Sequence, residues 1–364
     1  MRGPAAAPIA LALVAGFAQA ASFWPFEAWW LQLAALASLV VLVLRSPPRA
    51  FALGLAFGLG WFLAGISWLY VSMHRYGGMP AVLAALALLL FAAYLASFFA
   101  IVCAALARVD SALGARRAGT LPHAAALALL FAGAWSIAEI LRGWLFTGFP
   151  WLAIGYAQLD GPLDAFAPLL GAYGVCLFAA LVAFGIALFV GGLPGTQRSA
   201  NDARVARAFG AGIAVLPIVA GLAFATIDWS STHGAPLRVR LLQGNVAQDL
   251  KFDPRRSLEA MYWYANEVLR GDAPLTVLPE TAWTIPWGRT PQDVHEAMVY
   301  HLQKIDAAVA IGMPLVEDEF ARRRSRPDDG ARALTNSVGV IDETGTIAWR
   351  YDKRHLVPFG EFVP

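Results

Sequence analysis

The sequence predicts a multi-span α-helical membrane bundle followed by a partial α/β domain. Two observations carry this expectation. The first is hydropathy. Of 364 residues, 59% are hydrophobic and 14% charged, with a mean hydropathy of +0.58; an ordinary soluble domain carries ~25% charged residues. The second is where the charge falls. Residues 1–228 hold 11 Arg, no Lys and 7 acidic residues, whereas residues 229–364 hold 16 Lys and Arg and 18 acidic residues. The composition breaks near Asp228, so the expected domains are 1–228 in the membrane, with about seven helices, and 229–364 in water. This excludes a disordered chain, a fibrous repeat and a plain cytosolic enzyme. The formal net charge of +2 is too small to point to nucleic acid.

A crossing helix needs ~20 apolar residues to match ~30 Å of hydrocarbon. Seven runs approach that length, at roughly 5–21, 28–44, 51–71, 81–107, 123–141, 163–193 and 208–227. The first two are short, and the sixth is long enough to tilt or to end in the interface. Ala18-Gln19-Ala20 has the small-residue pattern of a signal-peptidase site, but the single Arg ahead of the first run favours an uncleaved helix. Arg placement sets the orientation. With the N-terminus inside, Arg2, Arg45, Arg49, Arg108, Arg116, Arg117, Arg198, Arg204 and Arg207 face the cytoplasm, and only Arg75 and Arg142 face out. Seven spans then place residues 229–364 in the periplasm of a bacterium, outside the inner membrane.

The second domain reads as alternating strands and helices. Leu237–Gln243 alternates polar and apolar residues, as a strand does. Pro254–Arg270 reads as a helix, with Leu258, Met261, Tyr262, Ala265 and Leu269 at spacings of three and four. Leu275–Leu278 is a short strand, Pro291–Lys304 a second helix and Ala307–Met313 a third strand. Glu317–Arg332 reads as an exposed, charged loop. Ser337–Ile341 and Thr346–Tyr351, joined through Gly345, read as a hairpin. The order β-α-β-α-β-β-β implies an α/β layered fold.

Polar groups at strand C-termini are where sites form in such folds. Leu278-Pro-Glu280-Thr-Ala-Trp-Thr-Ile-Pro286 places one carboxylate just past a buried strand. Tyr351-Asp-Lys353-Arg-His-Leu-Val-Pro-Phe-Gly-Glu361-Phe-Val-Pro364 sets a Lys and a Glu among rigid, aromatic turns. A Glu beside a Lys in an apolar pocket is a proton-transfer pair; on an open surface the same residues are a simple ion pair. Both readings stay open on spacing alone.

These segments, together with Leu242-Gln-Gly-Asn-Val-Ala-Gln-Asp-Leu-Lys-Phe-Asp-Pro254, resemble the apolipoprotein N-acyltransferase family. So do Gly148-Phe-Pro-Trp-Leu-Ala-Ile-Gly-Tyr-Ala-Gln158 and His74-Arg-Tyr-Gly-Gly-Met-Pro80. The resemblance runs over essentially the whole chain. It implies a nitrilase-like αββα second domain and a two-step acyl transfer. A Cys thiolate takes an acyl chain from a phospholipid donor, and the amine of a diacylglyceryl-Cys lipoprotein then takes it from the thioester. By motif position Glu280 matches the general base, Lys353 the Lys that stabilises the oxyanion, and Glu361 an accessory carboxylate. Phe252 stands where the family often has Trp and keeps an aromatic contact to acyl chains. No cofactor or metal is implied, the expected partners are the two lipid substrates and the membrane, and a monomer is expected.

The family's nucleophilic Cys lies several tens of residues beyond the Lys. Cys103 and Cys176 are the two cysteines present, both in apolar runs where they need no function. The expectation is therefore a C-terminally truncated copy that is inactive as it stands. Two alternatives remain: a membrane-tethered nitrilase or amidase, and a non-catalytic membrane protein.

Other residues invite two readings each. Trp151, with Trp144, Phe146 and Phe149, is an interfacial anchor or the lining of an acyl-chain entry. Trp283 and Trp287 flank Glu280 as a water-excluding lid or as packing. Glu139 and Arg142 read best as an (i, i+3) pair at the interface. His74 and Arg75 read as exposed, and His355 as structural. Arg322, Arg323, Arg324 and Arg326 form a solvated loop.

Overall fold

The structure is a computed structural model that describes residues 6–23, 25–117, 120–192, 200–246, 254–316 and 334–356. The chain divides into two compact units, Met1–Ser231 and Thr232–Pro364. Glu361, Phe252, the 317–332 loop with its arginines, and Pro364 lie outside the described residues.

The first unit is helical: α1 (Ala6–Ala20), α2 (Trp29–Arg45), α3 (Ala50–Gly65), α4 (Trp68–Val71), α5 (Ala81–Arg117), α6 (Leu121–Arg142), α7 (Ala167–Gly191) and α8 (Ala200–Phe224). Among the described residues, five segments are long and apolar enough to cross a membrane: Pro47–Gly65, Ala81–Leu113, Leu121–Arg142, Asp164–Gly191 and Asn201–Phe224. The first two expected spans form α1 and α2, which are apolar but only 15 and 17 residues long. Two runs depart from a single helix. The 51–71 run stops at Gly65, where the Ser67 hydroxyl takes the Ala64 carbonyl at 3.0 Å, and resumes as α4. The 163–193 run opens with a 3₁₀ turn, Asp164–Phe166, and α7 is broken at Gly171, which has a φ of +66°.

Without a hydrophobic force between helices in lipid, close backbone approach supplies the contact. α3 uses glycine for this on two sides. A Cβ on Gly60 would lie 2.2 Å from the Leu13 carbonyl oxygen of α1, and one on Gly54 2.7 Å from Ala100 Cα of α5. Beside these contacts lies an aromatic core. Trp61 and Trp135 stack at 6.3 Å, and Phe99 packs at 4.4 Å from Trp135. Cys103 and Cys176 are both buried in this unit.

The second unit carries β1 (Val239–Leu241), α9 (Pro254–Leu269), β2 (Leu275–Val277), α10 (Gln292–Ile305), β3 (Ala308–Val316), β4 (Leu334–Ile341) and β5 (Ile347–Asp352). The order of elements is the one the pattern predicts. The strands lie β1-β2-β3-β4-β5, with β1, β2 and β3 parallel and the last two pairings antiparallel. Helices α9 and α10 connect parallel neighbours, as parallel pairing requires. Val309, Ile311, Met313 and Leu315, alternate residues of β3, are buried in a core with Met261, Val268, Met298 and Leu302 of the helices. β4 starts three residues earlier than expected, and β1 is shorter, at three residues. On β5, Trp349 and Tyr351 stack at 6.4 Å and are 56% and 48% exposed, paired with Val340 and Val338 of β4.

Candidate active site

The C-terminal end of β2 runs into Leu278-Pro279-Glu280. The Leu278 amide donates to the Ala310 carbonyl at 2.9 Å and the Trp283 amide to the Gly312 carbonyl at 3.1 Å, so β3 holds this turn at both ends. Gly312 permits the approach. A Cβ there would stand 2.5 Å from the Pro279 carbonyl oxygen and 2.7 Å from Glu280 Cα. Thr281 takes a φ of +58°, a costly conformation for a β-branched residue.

Two further elements reach Glu280. Lys353 follows β5, and its Nζ stands 3.2 Å from Glu280 Oε1. Asn336, on β4, donates from Nδ2 to the same oxygen at 2.6 Å, while its carbonyl accepts the Lys353 amide at 2.8 Å. One β4 residue thus orients the carboxylate and fixes the backbone of the cation. Residue 352 anchors the segment from the other side. Asp352 Oδ1 accepts from Ser337 Oγ at 2.6 Å, Arg350 Nε at 2.8 Å and Thr335 Oγ1 at 3.1 Å. Burial pushes the Asp352 carboxyl up, but the Arg350 and Ser337 hydrogen bonds outweigh it and hold the group below its usual range.

A cleft of about 190 Å³ adjoins Glu280. It is lined by Gln243–Val246 after β1, by Pro279–Ala282 and Thr284, and by Ser257, Ala260 and Tyr264 of α9. The Tyr264 hydroxyl accepts the Gly244 amide at 3.0 Å and ties the first loop to α9. The Gln243-Gly-Asn-Val246 and Pro279-Glu-Thr-Ala282 motifs, 36 positions apart, therefore line one space.

The geometry narrows several open readings. The Glu280–Lys353 pair is not in a closed apolar pocket: the Glu280 side chain is 60% exposed, that of Lys353 30%. Of the two readings of Trp283, lid or packing, the geometry fits packing: it is a core residue with no exposed surface, and its indole donates to Thr290 Oγ1 at 3.0 Å. Trp287 is also buried and donates to the Gly345 carbonyl at 3.0 Å. Asn336 escaped the sequence reading; an Asn inside a strand, where it is disfavoured, was the available signal.

Trp151 belongs to the helical unit. It is 54% exposed and lines an apolar cavity of about 960 Å³ with Phe17, Phe23, Phe26, Trp68 and Leu152. Glu139 and Arg142 are an (i, i+3) pair, as expected, and both side chains are fully buried. His74 is exposed, and its Nδ1 lies 2.8 Å from the Met79 carbonyl oxygen.

Comparison with known proteins agrees with this architecture. Residues 15–185 match the apolipoprotein N-acyltransferase N-terminal domain, and residues 238–364 match the carbon-nitrogen hydrolase family. An apolipoprotein N-acyltransferase of Bordetella bronchiseptica is 39% identical over all of this chain and 68% of its own length. The chain belongs to the apolipoprotein N-acyltransferase family. Another member, from Ralstonia nicotianae, is 42% identical over 99% of this chain, and one from Chromobacterium violaceum is 36% identical over 97%. The chain spans 63% of the Ralstonia protein's length and 62% of the Chromobacterium protein's. Membership joins the two units under one description: a membrane protein with a carbon-nitrogen hydrolase domain.

Proposed function

We propose that this chain carries the lipid-handling and proton-handling parts of an apolipoprotein N-acyltransferase. The approach of Lys353 Nζ to Glu280 Oε1, with Asn336 on the same oxygen, is the observation that carries the reading. Glu280 takes the proton of a Cys thiol. The thiolate attacks an ester carbonyl of a phospholipid, and Lys353 neutralises the oxyanion, an interaction worth about 3–4 kcal/mol per donor in such sites. Collapse expels the lysophospholipid alkoxide, which takes the proton back from Glu280 and leaves a thioester. The amine of a diacylglyceryl-Cys lipoprotein then attacks, Glu280 takes its proton, and the thiolate departs. Glu361 supports the site, and Phe252 and Trp151 contact acyl chains. Trp283 supports the base from beneath through packing.

Cys103 and Cys176 are unsuited to the nucleophile's task, because both are buried in the helical unit. The Arg bias supports a bacterial inner-membrane protein with residues 229–364 in the periplasm.

The test is made in the organism's own chromosome. Glu280→Gln and Lys353→Met should each lower N-acylation of lipoproteins by about a hundredfold or more, read by mass spectrometry of lipopeptides. Unchanged acylation in both would overturn the reading. The open position of Glu280 favours a second reading, a membrane-tethered amidase that hydrolyses a soluble amide. Release of free acid or ammonia without an amine acceptor would support that instead.

A further inference from the structure

The loop between α6 and α7 holds an uncommon backbone. Phe146, Thr147 and Leu152 have φ values of +53°, +72° and +64°, and Gly148 has +78°. Such residues persist only where surrounding contacts over-determine them. Around Leu152, contacts come from two buried charges on α6. Arg142 donates from Nη1 to the Phe149 carbonyl and, at 2.8 Å, to the Trp151 carbonyl, on either side of Pro150. Its Nη2 meets Glu139 Oε2 at 2.5 Å, and Glu139 Oε1 accepts the Ile154 amide at 3.3 Å. Neither side chain of the pair is exposed. Farther along, the Gly155 amide donates to Cys176 Sγ at 3.1 Å, and Gln158 Nε2 to Gln32 Oε1 at 2.6 Å.

The clamped segment forms one wall of the apolar cavity, through Pro150, Trp151 and Leu152. Among the described lining residues the charged groups are Glu27 and Asp160, with no cation to hold a phosphate. The volume of about 960 Å³ and the apolar walls suit hydrocarbon and not a headgroup. We infer that Glu139 and Arg142 are positioning residues that shape this cavity to receive a phospholipid acyl chain. The inference rests on the acyl-transfer reading for its choice of occupant. The guanidinium is suited to the task because its planar fork serves two carbonyls and a carboxylate at once.

The experiment uses the full chain in palmitoyl-oleoyl phospholipid vesicles doped with a phospholipid that carries a diazirine at its acyl terminus. After photolysis, labelling of the peptide around Trp151 is compared with labelling of the exposed α5 face at Val82 and Leu90. The wild type should label the cavity peptide well above α5. Glu139→Gln with Arg142→Gln removes both charges together and so leaves no uncompensated buried ion. It should lower the cavity-to-α5 ratio about tenfold, the weight of a lost charge-assisted hydrogen bond. Arg142→Lys, a point donor, should fall between. A ratio unmoved in the double variant, or fully restored by Lys, would overturn the clamp. General loss of structure would lower both signals together and leave the ratio standing, which also counts against it. Equal labelling of cavity and α5 in the wild type would overturn the acyl-chain assignment. Failure of the acyl-transfer reading is seen separately, as lipoprotein acylation that survives Glu280→Gln.

Discussion

Asn336 lies closer to Glu280 than Lys353 does: its amide nitrogen is 2.6 Å from the Oε1 that the ammonium reaches at 3.2 Å. The amide is a neutral donor in fixed orientation, held in a strand. The Lys is a flexible stem whose backbone the same Asn fixes. Replacing Asn336 with Ala should therefore leave the carboxylate free to rotate and, on the proposed function, cost about tenfold or more in acyl transfer, at the scale of one hydrogen bond to a charged group. Asn336→Asp should cost more, since it sets a second carboxylate on the first. Lipopeptide mass spectrometry on chromosomal variants measures both.

Gly312 gives a steric prediction. Three backbone atoms of residues 279–281 lie within 2.8 Å of where its Cβ would sit, and backbone cannot swing aside. Gly312→Ala should destabilise the second unit by about 1–3 kcal/mol, as overpacking does, and push Glu280 away from Asn336. Hydrogen exchange at the Leu278 and Trp283 amides, both bonded to β3, would report the displacement.

Asp352 predicts a pH dependence. Its carboxyl is held below the usual range because, against the pull of burial, Arg350, Ser337 and Thr335 donate to it. The folded value is thus lower than the unfolded one. The stability it contributes is fully present above the unfolded value of about 3.9 and is lost as pH falls through the folded value. Asp352→Asn should speed exchange of the β4 and β5 amides at neutral pH. The difference from wild type should close as pH falls through the folded value, which lies below the unfolded one.

Topology is testable with one substitution. Tyr300 is 70% exposed on α10, while Cys103 and Cys176 have no exposed surface. Tyr300→Cys should react with a membrane-impermeant maleimide in spheroplasts, and the parent chain should not. Protection of the new thiol until the membrane is opened would place the second unit in the cytoplasm.

The fold was legible where periodicity was long. Helices α9 and α10 lie within one residue of their expected ends because their apolar positions repeat at three and four. The breaks at Gly65 and Gly171 were not legible, since hydropathy averages over a window and a glycine lowers it little. At the site, Glu280 and Lys353 could be named because each ends a strand pattern within a long motif. Their joining through Asn336 depends on β3 lying between β2 and β4, a long-range pairing that no local signal encodes. The exposure of Glu280 and the burial of Trp283 could not be decided between their alternatives for one reason. Sequence does not say which side of a turn faces the core, and Thr281, at positive φ, reverses the direction between them.

The stacked rings of Trp349 and Tyr351 carry a practical consequence. A polypeptide starting at Thr232 has no helix able to enter a bilayer among its described residues, yet it presents two large rings to solvent along one ribbon. Patches of that kind stick to one another. Such a fragment should pellet or self-associate in plain buffer and disperse in mild detergent, so detergent dependence alone would be a poor guide to which part of the polypeptide is embedded in lipid.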